Sequence, residues 1–333
     1  MLINYVYLCM VWPVKEFAYD DLKEVLQNID LKKSRLDKHR PLSRAVVQSI
    51  RSSLNLEWTY NSNSIEGNTL NLRETRMVIE EGMTVAGKSL REHFEVVNHQ
   101  EAIEYLEELV SGDYILKERD ILDIHELVMS KIEKEFAGRY RNSGVRILGA
   151  NFTPPNALKV PDLISDLIRW VIEEEQSMHP LVRVSIFHHR FVWIHPFFDG
   201  NGRTVRLLMN LLLMKWAFPP VIILKVDRNK YYQALNRANL GHYDLLIRLV
   251  ARAADRSLGI YLSNLENYAD EYVPISDLVE DLALPYGQEY ISLLARQGKI
   301  DSYKEGRVWY TRPAAIQNYI QNRKRERKLL YSG

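Results

Sequence analysis

Apolar residues recur at three- and four-residue intervals along most of this chain, the spacing that places them on one face of a helix. Leu22, Val25, Leu26 and Ile29 form one such stripe, and Val46, Val47, Ile50, Leu54, Leu56 and Trp58 form another. The spacing predicts helix from residue 14 to about 60, with the charged run Asp30–Arg40 as a mostly solvated face. Further helices are predicted over Thr75–Glu81, Leu90–Leu109 and Ile115–Ile132, from Pro161 to Trp170, and from His179 to Ile194. Leu207–Leu213 is apolar without interruption except for Asn210, and reads as a buried helix. Two stretches break the helical period. Val145 and Ile147 alternate ahead of Gly149–Ala150–Asn151, which predicts a β-hairpin. Ile300–Tyr303 and Val308–Thr311 bracket a glycine-containing turn at Lys304–Arg307 and predict a second.

The fold expected is mainly α in three parts: a helical region over 1–110, a core over 111–262 that starts at the Ser111–Gly112–Asp113 break, and a small module over 263–333. In that last part a short helix at 275–282, a turn at 283–287, a helix over Gln288–Gln297 and the second hairpin resemble a winged-helix fold, and Gln288–Tyr310 looks like excisionase-type modules. Its second helix offers Gln288, Glu289, Ser292 and Arg296 outward, a face poor in groove-reading charge, so DNA binding by 272–333 is not the favoured reading despite basic residues in the hairpin and the Arg323–Lys328 tail.

Composition narrows the picture. With 44 basic and 43 acidic residues the net charge is +1, which gives no global attraction to nucleic acid or membrane. Cys9 is the single cysteine, so intramolecular disulfides and multi-thiolate metal sites are excluded. The apolar Met1–Trp12 segment is too short to span a bilayer and lacks the basic start of a signal peptide. Met10 is an alternative start. A soluble, cytoplasmic protein is expected.

The candidate chemistry crowds into His195–Pro196–Phe197–Phe198–Asp199–Gly200–Asn201–Gly202–Arg203–Thr204–Val205–Arg206. A Gly-rich turn feeding a helix N-terminus is an anion site, because unpaired backbone N–H groups and the helix dipole point at the ligand. Arg203 and Arg206 share a helix face and add two positive charges. Asp199 is placed to hold a divalent metal over phosphates, and His195 to accept a proton beside them. Upstream, Ser62 and Glu66 lie four apart on one helix face, and Gly67 suits the position just past a helix end. His125, His188 and His189 lack ligand partners at metal spacing and are read as structural.

The His195–Arg206 string is similar, at every specified position, to the signature His-x-Phe-x-(Asp/Glu)-Gly-Asn-Gly-Arg-x-x-Arg of the Fic family, and the resemblance covers roughly residues 55 to 260. It implies a helical core with a β-hairpin flap and a protein adenylyltransferase that moves AMP from ATP to a Ser, Thr or Tyr hydroxyl with Mg²⁺. His195 would be the base and Asp199 the Mg²⁺ ligand. Gly200, Asn201 and Gly202 would cradle phosphates, and Arg203 and Arg206 would hold the β- and γ-phosphates. Doc-type relatives that transfer phosphate alter this loop, so the intact glycines favour nucleotidyl over phosphoryl transfer, with UMP and phosphocholine left open as the group transferred. The flap, with Leu148, Gly149, Ala150 and Asn151 lining the nucleotide, would dock the target by main-chain pairing. Tyr231, Tyr232 and Asn239 match positions that border the adenine.

Ser62-x-x-x-Glu66-Gly67 is similar to the family's inhibitory motif, in which the glutamate pairs with the second signature arginine, here Arg206, and takes the charge that a γ-phosphate would want. The partner implied is a protein with an accessible hydroxyl, with self-modification and a homodimer as open options and no membrane partner. Two other readings stand beside this one: a nucleotide-sensing, DNA-binding regulator, and an enzyme that removes AMP with Glu66 placing a water.

Overall fold

The apolar stripes become thirteen α-helices among the described residues of a computed structural model (20–40, 42, 44–110, 114–147, 149–150, 152–173, 178–265, 272–281 and 286–330). Met1–Trp12, Ser111–Asp113, Leu148, Asn151 and most of the predicted 283–287 turn lie outside those residues. None of the helices is long and apolar enough to cross a membrane. Instead of one run to residue 60, the N-terminal stripes form α1 (Asp20–Lys38) and α2 (Arg44–Ile65).

Contacts group Arg51–Val250 into one compact unit. It contains α3 (Leu72–Glu81), α4 (Leu90–Leu109), α5 (Glu118–Met129), α6 (Val160–Glu173), α7 (Pro180–Ile194), α8 (Asn201–Lys215) and α9 (Arg228–Ala238). Asn71 and Ser89 cap α3 and α4, each answered by a glutamate three residues on, which satisfies two orphan N–H groups at each helix start. The centre is α7 against α8, with α6 packed on α7 and α4 and α5 packed on α8. Val205, Leu207, Leu208, Met209, Leu211 and Leu213 are all fully buried, as expected for a helix apolar on every side. The polar exception, Asn210, donates to the Val221 carbonyl at 2.9 Å and accepts the Val221 N–H at 2.7 Å. A buried amide is thereby satisfied, and it fixes the extended 221–224 segment that the sequence predicts after Pro219–Pro220.

Ala18–Ile50 and Ala251–Gly333 form the second unit, so the packing does not follow the expected division at residues 110 and 262. The physical reason is Lys32. The charged run around it is not simply a solvated face: Lys32 is 2% exposed, with its ammonium 2.7 Å from Asp255, 3.1 Å from Asp301 and 2.6 Å from the Ser302 carbonyl. Burial opposes its charge, and the two carboxylates outweigh burial. Arg35 adds a second bond to Asp301 at 2.6 Å. These pairs tie α1 to residues that follow it by more than two hundred positions.

In the same unit α10 (Asp244–Leu265) is followed by β1 (Val273–Pro274), α11 (Ile275–Asp281), α12 (Gln288–Arg296), β2 (Ser302–Glu305), β3 (Val308–Thr311) and α13 (Pro313–Leu330). The expected hairpin is present, with Tyr303 opposite Tyr310, and β1 joins it to give an antiparallel order β1–β3–β2. Ile275, Leu278, Ile291, Leu294, Ile300 and Ile316 close its core.

The first predicted hairpin does not form a ladder among the described residues. Residues 144–147 form neither helix nor strand, and Ala150 N–H reaches the Ile147 carbonyl at 3.3 Å, with Gly149 at φ 79 between them, but no strand pairing accompanies the turn among the described residues. Alternation there is a local signal, and an isolated two-stranded ribbon is marginal without a third strand.

Candidate active site

The site is built where α7 ends and α8 begins. Its first residue, His195, stops α7 because its backbone turns left-handed, φ 50 and ψ 61, and Pro196 follows. Gly200, at φ 76, then starts α8, and its position leaves no space for a side chain: a Cβ would come within 2.9 Å of Met129 Sδ. Asn201 fastens the turn. Its Oδ1 accepts the Phe197 N–H at 3.0 Å and its Nδ2 donates to the Phe197 carbonyl at 2.8 Å. The amide thus holds the loop in shape, with one Nδ2 hydrogen and the backbone N–H remaining as donors.

Two residues whose importance the sequence hides hold this loop from outside. Arg141 is 2% exposed and its guanidinium donates to four carbonyls: His195 at 2.8 Å, Ser143 at 2.9 Å, Pro155 at 2.5 Å and Ile194 at 3.3 Å. It clamps the left-handed turn at His195 from behind. His125 stacks on Phe197 with ring centroids 3.6 Å apart, accepts the Gly138 N–H on Nδ1 at 3.0 Å, and so donates from Nε2 to the Asp199 carbonyl at 3.0 Å. Reading His125 as structural is right, but what it supports is the motif loop. Replacing Arg141 by methionine strands several buried carbonyls and should destabilise the protein by about 3 kcal/mol, read as a fall in the thermal midpoint. Arg141→Lys keeps the charge without the fork and should recover only part of that loss.

Around this turn the charged groups converge. His195 is half-buried, and burial lowers its imidazole to about 4, with the Val192 carbonyl and the Arg141 charge as lesser influences of opposite sign. It is therefore neutral at physiological pH and able to accept a proton. Its Nδ1 is buried, which leaves Nε2 to face a substrate. Arg203 and Arg206 are each 2% exposed; Arg203 Nε and Arg206 Nη1 are buried without a hydrogen bond, while Arg203 Nη1 stands 3.4 Å from Glu95 Oε1. Two desolvated guanidiniums with unused N–H groups beside the N-terminus of α8 make a strong anion site.

A carboxylate of the chain already reaches into it. Arg206 Nη2 is 2.8 Å from Glu66 Oε1, and a Cβ on Gly202 would overlap that same oxygen, so Glu66 lies against the first turn of α8. Local geometry at the end of α2 explains the approach. Glu66 N–H bonds the Asn63 carbonyl rather than that of Ser62, tightening the last turn, and Gly67 then leaves at φ 108. The released Ser62 carbonyl accepts Arg206 Nη2 at 2.8 Å, and the Ser62 hydroxyl accepts Arg206 Nε at 3.0 Å. The Ile65 carbonyl is held by Arg228 Nε at 2.7 Å and Tyr232 Oη at 3.4 Å. Beyond the helix, Asn68 donates to the Glu92 carbonyl at 3.0 Å and to Glu95 Oε2 at 2.9 Å. Arg206 has its charge reinforced: burial opposes it and Glu66 outweighs burial.

The other expected residues are placed as follows. Asp199 is 44% exposed at the mouth of the site, with Oδ1 on the Gly200 N–H at 2.6 Å. Among the described residues no group of three His, Cys, Asp or Glu could hold a metal, so a cation here must take most of its ligands from phosphate and water. That suits Mg²⁺, which is commonly bound through one or two carboxylates and substrate phosphates. Tyr231 is buried, with His188 Nε2 2.8 Å from its hydroxyl, and Tyr232 lies beside it with centroids 5.3 Å apart. His189 is 2.8 Å from Asn239 Oδ1 and 3.0 Å from the Tyr243 hydroxyl. His188 and His189 thus brace two of the three positions expected to border adenine, Tyr231 and Asn239. Of the expected nucleotide-lining stretch only Gly149 and Ala150 fall among the described residues.

The sequence profile of the Fic/DOC family matches residues 115–213. Protein adenylyltransferase Fic of Nematostella vectensis is 37% identical over 252 residues, 74% of this chain and 57% of that protein. Protein adenylyltransferase fic-1 of Caenorhabditis elegans is 36% identical over 242 residues, 72% of this chain and 47% of that protein. The chain therefore spans about half the length of these relatives. Among solved structures, Fic-1 from C. elegans superposes with a TM-score of 0.67 at 32% identity, covering 73% of this chain and 72% of that one. A Fic family protein from Desulfovibrio desulfuricans gives 0.62 at 26% identity, covering 86% and 95%.

Proposed function

This chain belongs to the Fic family, and from that premise we propose that it transfers AMP from ATP to a Ser, Thr or Tyr hydroxyl of a protein, and that Glu66 holds it off. The observation that carries the reading is the pair of buried arginines with unused N–H groups beside a helix N-terminus and next to a neutral histidine. Arg203 and Arg206 hold the β- and γ-phosphates, and the first-turn N–H groups of α8 take the remaining phosphate oxygens. His195 Nε2 removes the proton of the incoming hydroxyl as its oxygen bonds to the α-phosphorus and pyrophosphate leaves. Asp199 would hold Mg²⁺, which would supply charge neutralisation to the phosphates as pyrophosphate leaves. Tyr231, Tyr232 and Asn239 border the adenine, and the segment at 144–147 offers its backbone to a strand of the target.

Glu66 stops the reaction at one point. A γ-phosphate needs Arg206, and while Glu66 and Ser62 occupy that guanidinium the triphosphate has no productive fit. We read residues 272–330 as a winged-helix-like docking module rather than a DNA reader, since Gln288 and Glu289 are exposed beside Arg296 on α12 and give a face of mixed charge.

ATP labelled in turn at the α- and γ-phosphate tests the reaction class. The purified Glu66→Gly chain, incubated with Mg²⁺ and heat-inactivated lysate, should leave protein-bound label only from the α position. Label arriving from the γ position would place the chain among phosphoryl transferases and overturn the reading.

A further inference from the structure

The two oxygens of Asp199 have different partners. Oδ1 faces inward, on the Gly200 N–H at 2.6 Å and 3.8 Å from Arg203 Nη2. Oδ2 is held by Arg91 Nη2 at 2.5 Å. Arg91 stands in the first turn of α4, and the same guanidinium reaches Glu133 Oε1 at 3.2 Å and Glu95 Oε1 at 3.6 Å. Burial separates the two arginines. Arg203 is 3% exposed at its side chain and fixed, whereas Arg91, Asp199 and Glu133 are 47%, 44% and 39% exposed. An arginine this exposed swings away at little desolvation cost.

We propose that Arg91 is an exchangeable counter-ion of Asp199, which a divalent cation must displace, so that Arg91 sets the cation affinity of the site. The inference rests on reading Asp199 as the metal carboxylate. The oxygen left to a metal is Oδ2, since Oδ1 is committed to the loop, and Oδ2 is the one that Arg91 covers. Cation and guanidinium compete for a single acceptor. Glu133 and Glu95 make the exchange feasible, because both remain to hold Arg91 when Asp199 turns to the metal. Arg91 is then a positioning residue: it touches neither ATP nor the reacting atoms.

Mn²⁺ serves as the probe, with unbound ion counted by electron paramagnetic resonance in titrations of the full chain carrying Glu66→Gly with a non-hydrolysable ATP analogue, the analogue alone being the reference. In that background Arg91→Gln should bind Mn²⁺ roughly three- to tenfold more tightly than the chain that keeps Arg91, the loss of one competing exposed ion pair plus one repelling charge. Arg91→Lys should lie between them, and Asp199→Asn should lose the binding in either background. Thermal unfolding of each variant confirms that it is folded. Unchanged or weaker Mn²⁺ binding in Arg91→Gln, with Asp199→Asn still abolishing it, overturns the role of Arg91 and leaves the metal reading standing. Binding that Asp199→Asn does not reduce overturns both.

Discussion

Replacing His195 by asparagine lowers AMP transfer by about 10²–10⁴-fold, the usual contribution of a positioned general base. Asparagine is the informative substitution because residue 195 sits at φ 50, where most side chains are strained and asparagine is tolerated. A fall in rate with an unchanged thermal midpoint then reports lost chemistry rather than lost structure. The pH profile checks the same residue independently. Neutral imidazole is the active form, and burial lowers its acid equilibrium to about 4 in the free chain. The neutral form therefore persists as pH falls through the ordinary histidine range, and kcat/KM should stay level from pH 8 to about 5, declining only as pH nears 4. An acid limb centred near the ordinary histidine value would contradict the buried environment.

Replacing Glu66 by glycine raises transfer by roughly thirtyfold, because releasing Arg206 from a buried charge pair is worth about 2 kcal/mol to a competing phosphate. Glu66→Gln, which keeps the shape and removes the charge, should fall between wild type and glycine. Stability falls as well, since Arg206 is 2% exposed and loses its counter-charge, so the thermal midpoint is read beside the rate. A rate equal to wild type in both variants would mean that Glu66 is not the brake.

Much of this site was legible in the sequence because its chemistry is local. Twelve consecutive residues carry the histidine, the carboxylate, the turn and both arginines, and the run after them is apolar enough to be a buried helix. The Ser62–Gly67 stretch is instructive, since the helix end read there is what brings Ser62 and Glu66 to Arg206. The tightened last turn of α2 frees the Ser62 carbonyl for Arg206, so the helix has to end there for that contact to form.

The supports were not legible. Arg141 bonds to a carbonyl 54 residues away, Arg91 to a carboxylate 108 away, Arg228 to a carbonyl 163 away and Lys32 to a carboxylate 223 away. Each is a single charged residue in a stretch whose periodicity suggests only a solvated face or a connection. Local spacing has no knowledge of partners at that range. The 145–152 stretch fails for the opposite reason: its alternation is real, but a ladder needs a neighbouring strand that the described residues do not supply.

The central claim is that Glu66 and the γ-phosphate compete for Arg206, and nucleotide affinities test it without relying on turnover. Calorimetry of wild type and Glu66→Gly with ADP and with a non-hydrolysable ATP analogue gives the ratio directly. The wild-type chain should bind the two about equally, and Glu66→Gly should favour the triphosphate by roughly tenfold or more, as expected for a newly made charge-assisted pair. The same ratio in both proteins would contradict the competition.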